Sequence, residues 1–497
     1  MSFMKWSSRR NLTIAQDILL NPGGPGGSGI AMLLENLPML LSALGDANNF
    51  VGFDPRGVNN SGPDLSCFPG LKGTTKLYSE LDIPLDANDN KSYATIFAQV
   101  AAFGDFCTRA HSSTDDKANY VNTVATAQDM RHYTEVLARS EGQNIEESQL
   151  WYYGTSYGSL LGMTYASLFP NRVGRIVVDG IVDAEDYYEG KWSANLPDAD
   201  EAFRYFFETC YKAGENGLCS FWADSPSAIE ARFNAIVEEL TLKPIPLALE
   251  IPTVITVIDL KMFMVGVPHT PMENFPKFAN ILVELEGRTA YRLAAERGIR
   301  PNPSDCTSVP GARPNYEPKP FISCIDANGR FNLSNYDAWV KHANSLVEQS
   351  QYLGEAWAPI TAIQCRKLNL KAPQSQVFYG ELGAIKTSNP LLFISTRLDP
   401  VTPLRAAKKM VKKFGGAALL VQNTVGHASI SSRSSCTARI ARKYFQNAEL
   451  PETGTVCESS DVPFKKGTTY KDEDMPTDKL NKANALTWLN GNFWGQG

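Results

Sequence analysis

The sequence predicts an α/β fold: a mostly parallel central sheet interrupted by a large, mainly helical cap. Three observations carry this. Apolar runs of strand length alternate with helical patterns up to residue 183. Strand signals then thin out between 184 and 385, where helical periodicity and long loops take over. The alternation resumes from 386. The expected organisation is therefore a sheet domain in two parts, 1–183 and 386–497, with the cap of 184–385 lying over the carboxyl edge of the sheet.

In order, Ile14 to Leu20 reads as a strand that runs into Asn21-Pro22-Gly23-Gly24-Pro25-Gly26-Gly27-Ser28-Gly29. Ile30 to Leu44 reads as an amphipathic helix, and Phe50 to Phe53 as a short strand ending in Asp54-Pro55-Arg56-Gly57. Arg56 is expected to tie loops together through carboxylates or carbonyls. Residues 60–120 are loop-rich. Val121 to Arg139 carries Val124, Ala127, Met130, Tyr133 and Leu137 on one helical face, ended by Gly142. Leu150 to Tyr153 is an aromatic strand, Leu160 to Leu168 a helix stopped by Pro170, and Arg175 to Val178 a strand closing at Asp179-Gly180. Within the cap, Ser225-Pro226 opens a helix and Leu333 to Gln351 reads as another. A Pro/Asn/Gly-rich loop from Gly298 to Pro320 lies between them. Pro390 to Ser395 is again a strand, Ala406 to Phe414 a helix and Ala418 to Gln422 the last strand; Cys436 to Phe445 closes the fold before a polar tail.

The bulk properties narrow the function. At 497 residues the chain exceeds what one compact core usually covers. A net charge of −6 with no basic block argues against nucleic acid and anionic membranes as partners. No apolar run approaches the ~20 residues that span a bilayer. The nine cysteines lack C-x-x-C metal spacing. They suggest the pairs Cys67/Cys107, Cys210/Cys219, Cys324/Cys365 and Cys436/Cys457, with Cys306 left over; connectivity stays open at this level. Stapling of that kind, with sequons at Asn11, Asn59 and Asn332, fits an exported protein. Met1 to Arg10 carries Lys5, Arg9 and Arg10 with no apolar run behind them, so no signal peptide is read here and a cytoplasmic location is the alternative.

The chemistry is concentrated in Gly154-Thr155-Ser156-Tyr157-Gly158, a G-x-S-x-G turn between the strand at 150–153 and the helix that follows. Such a turn lifts a serine hydroxyl above the carboxyl edge of a sheet. A serine nucleophile needs a base, and the base needs an acid to orient it. Asp399 follows one later strand and His427 the next, in the chain order this fold uses. Asp179 also follows a strand and is the rival acid, ahead of Asp183. His132 and His342 fall in helical stretches, and His111 and His269 in loops with no strand before them. The backbone N–H of Tyr157 and one from Gly23 or Gly24 are expected to hold a developing oxyanion. The predicted reaction is acyl transfer followed by hydrolysis, with no metal or organic cofactor.

Asn-Pro-Gly-Gly-Pro-Gly-Gly-Ser-Gly at 21–29, Phe-Asp-Pro-Arg-Gly at 53–57, Gly-Thr-Ser-Tyr-Gly at 154–158 and Val-Asp-Gly at 178–180 form a recognisable set. Thr-Arg-Leu-Asp-Pro-Val-Thr-Pro at 396–403, Gly-His at 426–427 and Gly-Thr-Val-Cys-Glu at 454–458 complete it. Together they resemble the tripeptidyl aminopeptidase-like branch of the α/β-hydrolases, relatives of the proline iminopeptidases, from about residue 18 to 465. The resemblance implies an α/β-hydrolase fold and a serine exopeptidase that removes short peptides from a free N-terminus, commonly exported. The branch also holds esterases, so a carboxylesterase or lactonase acting on small-molecule esters is the alternative. Members usually carry early strands before the Gly-rich loop, which only twenty residues precede here. An aminopeptidase also needs carboxylates for the substrate ammonium; Glu185, Asp186 and Glu189 stand at the cap entrance. The expected partner is a peptide or small-molecule substrate, and a monomer is expected.

Overall fold

The computed structural model describes residues 1–8, 15–68, 81, 83–113, 115–249, 252–297 and 317–465. Asn11, Cys306 and the polar tail lie outside them, as does the loop from Gly298 up to residue 316.

The first part of the chain gives β1 (Ser2–Trp6), β2 (Asp17–Asn21), α1 (Gly29–Leu44), β3 (Asn49–Asp54), α2 (Asn90–Ala110), α3 (Thr123–Ser140), β4 (Leu150–Thr155), α4 (Tyr157–Leu168) and β5 (Val173–Asp179). Next come α5 (Ala184–Tyr188), α6 (Ala199–Lys212), α7 (Pro226–Leu242), β6 (Ile245–Leu247), β7 (Thr253–Ile255), α8 (Val257–Gly266), α9 (Pro271–Glu286) and α10 (Tyr291–Glu296). They are followed by α11 (Pro318–Ala327), α12 (Tyr336–Gln349) and α13 (Gly354–Trp357). The chain then returns to the sheet with β8 (Leu392–Leu398), α14 (Leu404–Met410), β9 (Ala418–Val425), α15 (Ser435–Asn447) and β10 (Val456–Glu458).

The main sheet runs β1-β3-β2-β4-β5-β8-β9-β10. All pairs are parallel except β1 with β3. Parallel strands buried on both faces read as continuous apolar runs, and β2, β3 and β4 do so. Alternate side chains feed two cores. Ile18, Leu20, Tyr153, Val177, Leu392 and Ile394 pack beneath α1 and α15, against Met32, Leu33, Tyr444 and Phe445. Leu19, Tyr152, Val178 and Phe393 face the other way, toward Leu160, Met163 and Met130. Because β2, β4, β5, β8 and β9 are parallel, their carboxyl ends share one edge, and the loops there are the ones that carry the motifs.

Three expectations need correction. The twenty residues before the Gly-rich loop do supply an early strand: β1 pairs antiparallel with β3, from Ser2 opposite Asp54 to Trp6 opposite Phe50. Its Lys5 pairs with Asp17 at 2.7 Å. The strand at 418–425 is not the last, since Val456–Glu458 adds a parallel edge to it. The Pro-rich loop ends earlier than the sequence suggests, because Pro318, at the first helical position where its missing N–H costs nothing, starts α11.

The segment between β5 and β8 contributes its own aromatic core. Phe203, Phe206 and Phe207 of α6 pack with Phe233 of α7, Phe275 and Phe278 of α9, and Tyr352. The only strands among its described residues are the short antiparallel β6 and β7. Arg56 makes a two-pronged ion pair with Asp129 of α3, at 2.6 and 2.8 Å. All four suspected disulfides are present: Cys67–Cys107, Cys210–Cys219, Cys324–Cys365 and Cys436–Cys457. Among the described residues no helix is long and apolar enough to cross a membrane.

The Cys324–Cys365 bridge spans 41 residues. Closing a loop of that length restricts the unfolded chain by about 4 kcal/mol in the chain-entropy account. Replacing both cysteines by serine is expected to lower the free energy of unfolding by that amount, read as a lower midpoint of denaturant unfolding. An unchanged midpoint would contradict this.

Candidate active site

The site is built on the turn out of β4. Ser156 adopts φ 57° and ψ −125°, a left-handed backbone that a side-chain-bearing residue holds at a cost of order 1–3 kcal/mol. Its surroundings fix it there. Its N–H donates to the carbonyl of Asp179 at 2.9 Å, and its own carbonyl accepts from the Ser159 N–H at 2.8 Å and from Ser159 Oγ at 2.5 Å. The flanking glycines are required by space: a Cβ on Gly158 would lie 2.6 Å from the Asn21 carbonyl, and one on Gly154 would strike the Tyr152 hydroxyl. α4 then leaves with the Tyr157 N–H in its first turn, where no intrahelical acceptor exists.

The Gly-rich loop after β2 lies against this turn. Thr155 Oγ1 donates to the Pro22 carbonyl at 2.8 Å. Gly23 has φ 100°, and a Cβ there would sit 2.5 Å from the Thr155 carbonyl oxygen, 2.8 Å from Ser156 Cβ and 2.9 Å from the Tyr157 nitrogen. The two glycines divide the work expected of them. The Gly23 N–H is already taken by Asn21 Oδ1 at 2.9 Å, so Gly23 serves by its lack of a side chain. The Gly24 N–H has no acceptor among the described residues and is the available donor. Gly23→Ala is expected to cost about 3 kcal/mol of stability through strain and collision, and to cut turnover by displacing the loop. Thermal unfolding and kcat measured together check this; a variant with native stability and turnover would contradict it.

Asp399 and His427 meet at the same sheet edge. His427 Nδ1 lies 3.0 and 3.1 Å from the two carboxylate oxygens of Asp399, and 3.1 Å from Thr402 Oγ1. The carboxylate also accepts the N–H groups of Val401, Thr402 and Ala428 at 3.0, 2.8 and 2.9 Å. Asp399 is fully buried. Burial alone would push its carboxyl up, but the His427 charge and hydrogen bond, with the backbone donors, outweigh it and leave Asp399 below the usual carboxylate range. With Nδ1 held by the carboxylate, Nε2 is the ring nitrogen left to exchange a proton.

Asp179, the rival acid, is not bonded to the ring. Its side chain accepts from Ser429 and from the Tyr153 hydroxyl. Asp183 caps α5 and pairs with Lys409 at 2.8 Å. The three cap-entrance carboxylates are likewise engaged. Glu185 pairs with Lys409 and Lys413 at 2.8 and 2.7 Å. Asp186 accepts from Ser193 Oγ at 2.5 Å and the Ala194 N–H at 3.1 Å, and Glu189 pairs with Lys191. Glu185 and Glu189 are thus ion-paired within the protein, whereas Asp186 is held by neutral donors.

Two features were not legible in the sequence. His269, in the loop after α8, packs edge-on against the His427 ring with centroids 5.3 Å apart, and its carbonyl accepts the His427 N–H at 2.9 Å. Burial, then the charge of His427, pushes His269 down to about 3, so it stands neutral beside the base. The second is a buried chain of hydroxyls that joins Tyr157 to α11 and α5. The Tyr157 hydroxyl meets Thr123 Oγ1 at 2.6 Å, Thr123 Oγ1 donates to Asp326 of α11 at 2.5 Å, and the Tyr187 hydroxyl donates to the same carboxylate at 3.0 Å. Burial lifts Asp326 to about 6.

Residues 18–243 match the family model described as alpha/beta hydrolase fold, and residues 350–457 match the one described as TAP-like protein. The chain is similar to tripeptidyl aminopeptidase of Streptomyces lividans, 26% identical over 429 residues that cover 83% of this chain and 71% of that one. It is similar to serine protease Hip1 of Mycobacterium tuberculosis, 24% identical over 454 residues, with 88% and 80% covered. It is also similar to carboxylesterase B of Mycobacterium tuberculosis, 22% identical over 452 residues, with 88% and 79% covered. By its family matches, its mostly parallel sheet and the turn that carries Ser156, the chain has the α/β-hydrolase fold and is a hydrolase with a TAP-like region over residues 350–457.

Proposed function

We propose that the protein is a serine hydrolase working through an acyl-enzyme, and that it is an exopeptidase releasing short peptides from free N-termini. The observation that carries the hydrolytic reading is the His427–Asp399 pair, which shares a sheet edge with a serine held at positive φ. Ser156 Oγ attacks the substrate carbonyl while His427 Nε2 takes its proton. Asp399 holds Nδ1–H, fixes the tautomer and stabilises the imidazolium. The oxyanion falls to the N–H groups of Tyr157 and Gly24. The imidazolium returns the proton to the leaving amine or alcohol. Water then attacks the acyl-enzyme with His427 again as base, freeing the acid and Ser156.

The exopeptidase reading is supported by similarity to proteins named tripeptidyl aminopeptidase and serine protease Hip1. The second reading, a carboxylesterase or lactonase, is supported by similarity to one named carboxylesterase B. The four disulfides support folding in an oxidising compartment, and hence export. The test sets tripeptidyl aryl-amides with free N-termini against the same compounds acetylated, and against simple aryl esters. Preference for the free peptides is expected. Turnover of esters alone would replace the exopeptidase reading with the second.

The proposed chemistry has a pH signature. Burial pushes the His427 imidazole down, but the charge and hydrogen bond of Asp399, with the charge of Asp179, outweigh it and hold it above the ordinary 6.5. His427 must be neutral to accept the Ser156 proton, so kcat/KM is expected to fall on the acid side with a midpoint above that value. A pH–rate profile with a midpoint well below 6.5 would contradict it. The stability contribution has the opposite sense: raised in the folded state, it is present at low pH and fades as pH rises through the folded-state value.

A further inference from the structure

We propose that Asp179 is a positioning residue that ties the Ser156 turn to the His427 loop and sets a second carboxylate behind the base. This rests on the roles proposed above for Ser156 and His427 and goes beyond them. Asp179 ends β5, between β4 and β8 in the sheet, and is fully buried. Its main chain serves one side: the carbonyl accepts the Ser156 N–H at 2.9 Å. Its side chain serves the other, with Oδ1 accepting the Ser429 N–H at 2.8 Å and Oδ2 accepting Ser429 Oγ at 2.5 Å. Ser429 lies two residues beyond His427. The Tyr153 hydroxyl, from the strand that leads to Ser156, closes the set on Oδ2 at 2.9 Å. One residue therefore fixes the backbones of both the Ser156 turn and the His427 loop. Gly180 beside it is packed so closely that a Cβ would lie 3.1 Å from both Thr402 Oγ1 and Ala428 Cβ.

Three donors converge on this carboxylate, two of them hydroxyls that can turn their protons elsewhere. Asparagine would keep the shape and the bond to the Ser429 N–H while removing the charge. The charged and titratable groups around Asp179 are Tyr153 on β4, Asp399 after β8 and His427 after β9. Burial first, with the charge of Asp399, lifts Asp179 to about 6, although Ser429 and Tyr153 pull it down. Asp399 is held low by the ring it serves. The two buried acids that act on the base are thus driven apart in proton affinity, and the imidazolium formed during turnover sits in the field of both.

The experiment is the pH dependence of kcat/KM, on whichever aryl ester or aryl-amide the protein turns over, for the wild type, Asp179→Asn and Ser429→Ala. In the wild type both His427 and Asp179 must be deprotonated, so the acid limb steepens from one proton to two below about pH 6. Asp179→Asn is expected to restore a one-proton slope and to move the midpoint to lower pH, because the base loses one of its two raising charges. It should also lower kcat about tenfold at pH 8 through loss of a buried charge-assisted bond. Ser429→Ala should move the limb to higher pH, because Asp179 loses a bond that favours its anion. A purely structural Asp179 would change stability and leave slope and midpoint alone. A folded Asp179→Asn protein with the wild-type slope and midpoint overturns the proposal; should that variant not fold, an unmoved acid limb in Ser429→Ala does so. Ser156→Ala serves as control: turnover retained there would mean that the site reading has failed, independently of Asp179.

Discussion

Ser156→Ala is expected to lower kcat by a factor of at least ~10³ while leaving the fold intact. The reason is local. The substitution deletes one oxygen and nothing else the turn depends on. The Ser156 N–H still reaches the Asp179 carbonyl, and its carbonyl still accepts from Ser159. Alanine tolerates φ 57° about as poorly as serine, so the strain is unchanged. Thermal unfolding should therefore match the wild type within a few degrees, which separates loss of chemistry from loss of structure. The turnover left over would come from the Tyr157 and Gly24 N–H groups acting on bound substrate with water as nucleophile. Near-wild-type turnover would remove Ser156 from the site.

Asp399→Asn is expected to cost on the order of 10⁴ in kcat. Asp399 is fully buried, and its oxygens accept three backbone N–H groups as well as the His427 ring. An amide has one acceptor oxygen. Every orientation turns its NH₂ toward a group that is also a donor, so either a backbone N–H is orphaned or the imidazole adopts the tautomer that leaves no base at Nε2. The acid limb should also shift to lower pH, since the largest influence raising His427 is gone. Comparison with Asp179→Asn makes this sharper. Both acids are buried at neighbouring strand ends, but only Asp399 touches the ring. The loss at 399 should exceed that at 179 by orders of magnitude, and the reverse ranking would exchange their roles.

The elements that position the site were legible because their signals are local. Ser156 and Asp399 follow runs buried on both faces of the sheet, and His427 follows β9, which is only partly buried but opens on the apolar Ala418-Leu419-Leu420-Val421; such runs stand out in a polar sequence. Edge strands lack that signal. β1 reads as a charged leader because Lys5 faces out toward Asp17, and β10 is three residues long, with only the middle one buried. Both become strands only through their partners. α11 was hidden by its prolines, which mark a loop in composition but a helix start in place. The polar links are harder still. Thr123 and Asp326 are 203 residues apart, and Asp179 and Ser429 are 250 apart. Nothing in either neighbourhood announces the other. His269 carries no flanking pattern at all; its place beside His427 follows from how the loop after α8 packs against the loop after β9. The cap-entrance acids show the converse. Composition marks Glu185, Asp186 and Glu189 as a negative cluster, but the lysines of α14 and its 3-10 extension that neutralise Glu185 come more than two hundred residues later.

Covalent trapping shows whether Ser156 is the residue acylated by His427-assisted attack. The protein would be incubated with an aryl fluorophosphonate, digested and mapped by mass. One adduct is expected, on Ser156, formed with the pH dependence of kcat/KM and abolished in His427→Ala. An adduct on another residue, or none in a protein that still turns over substrate, would contradict it.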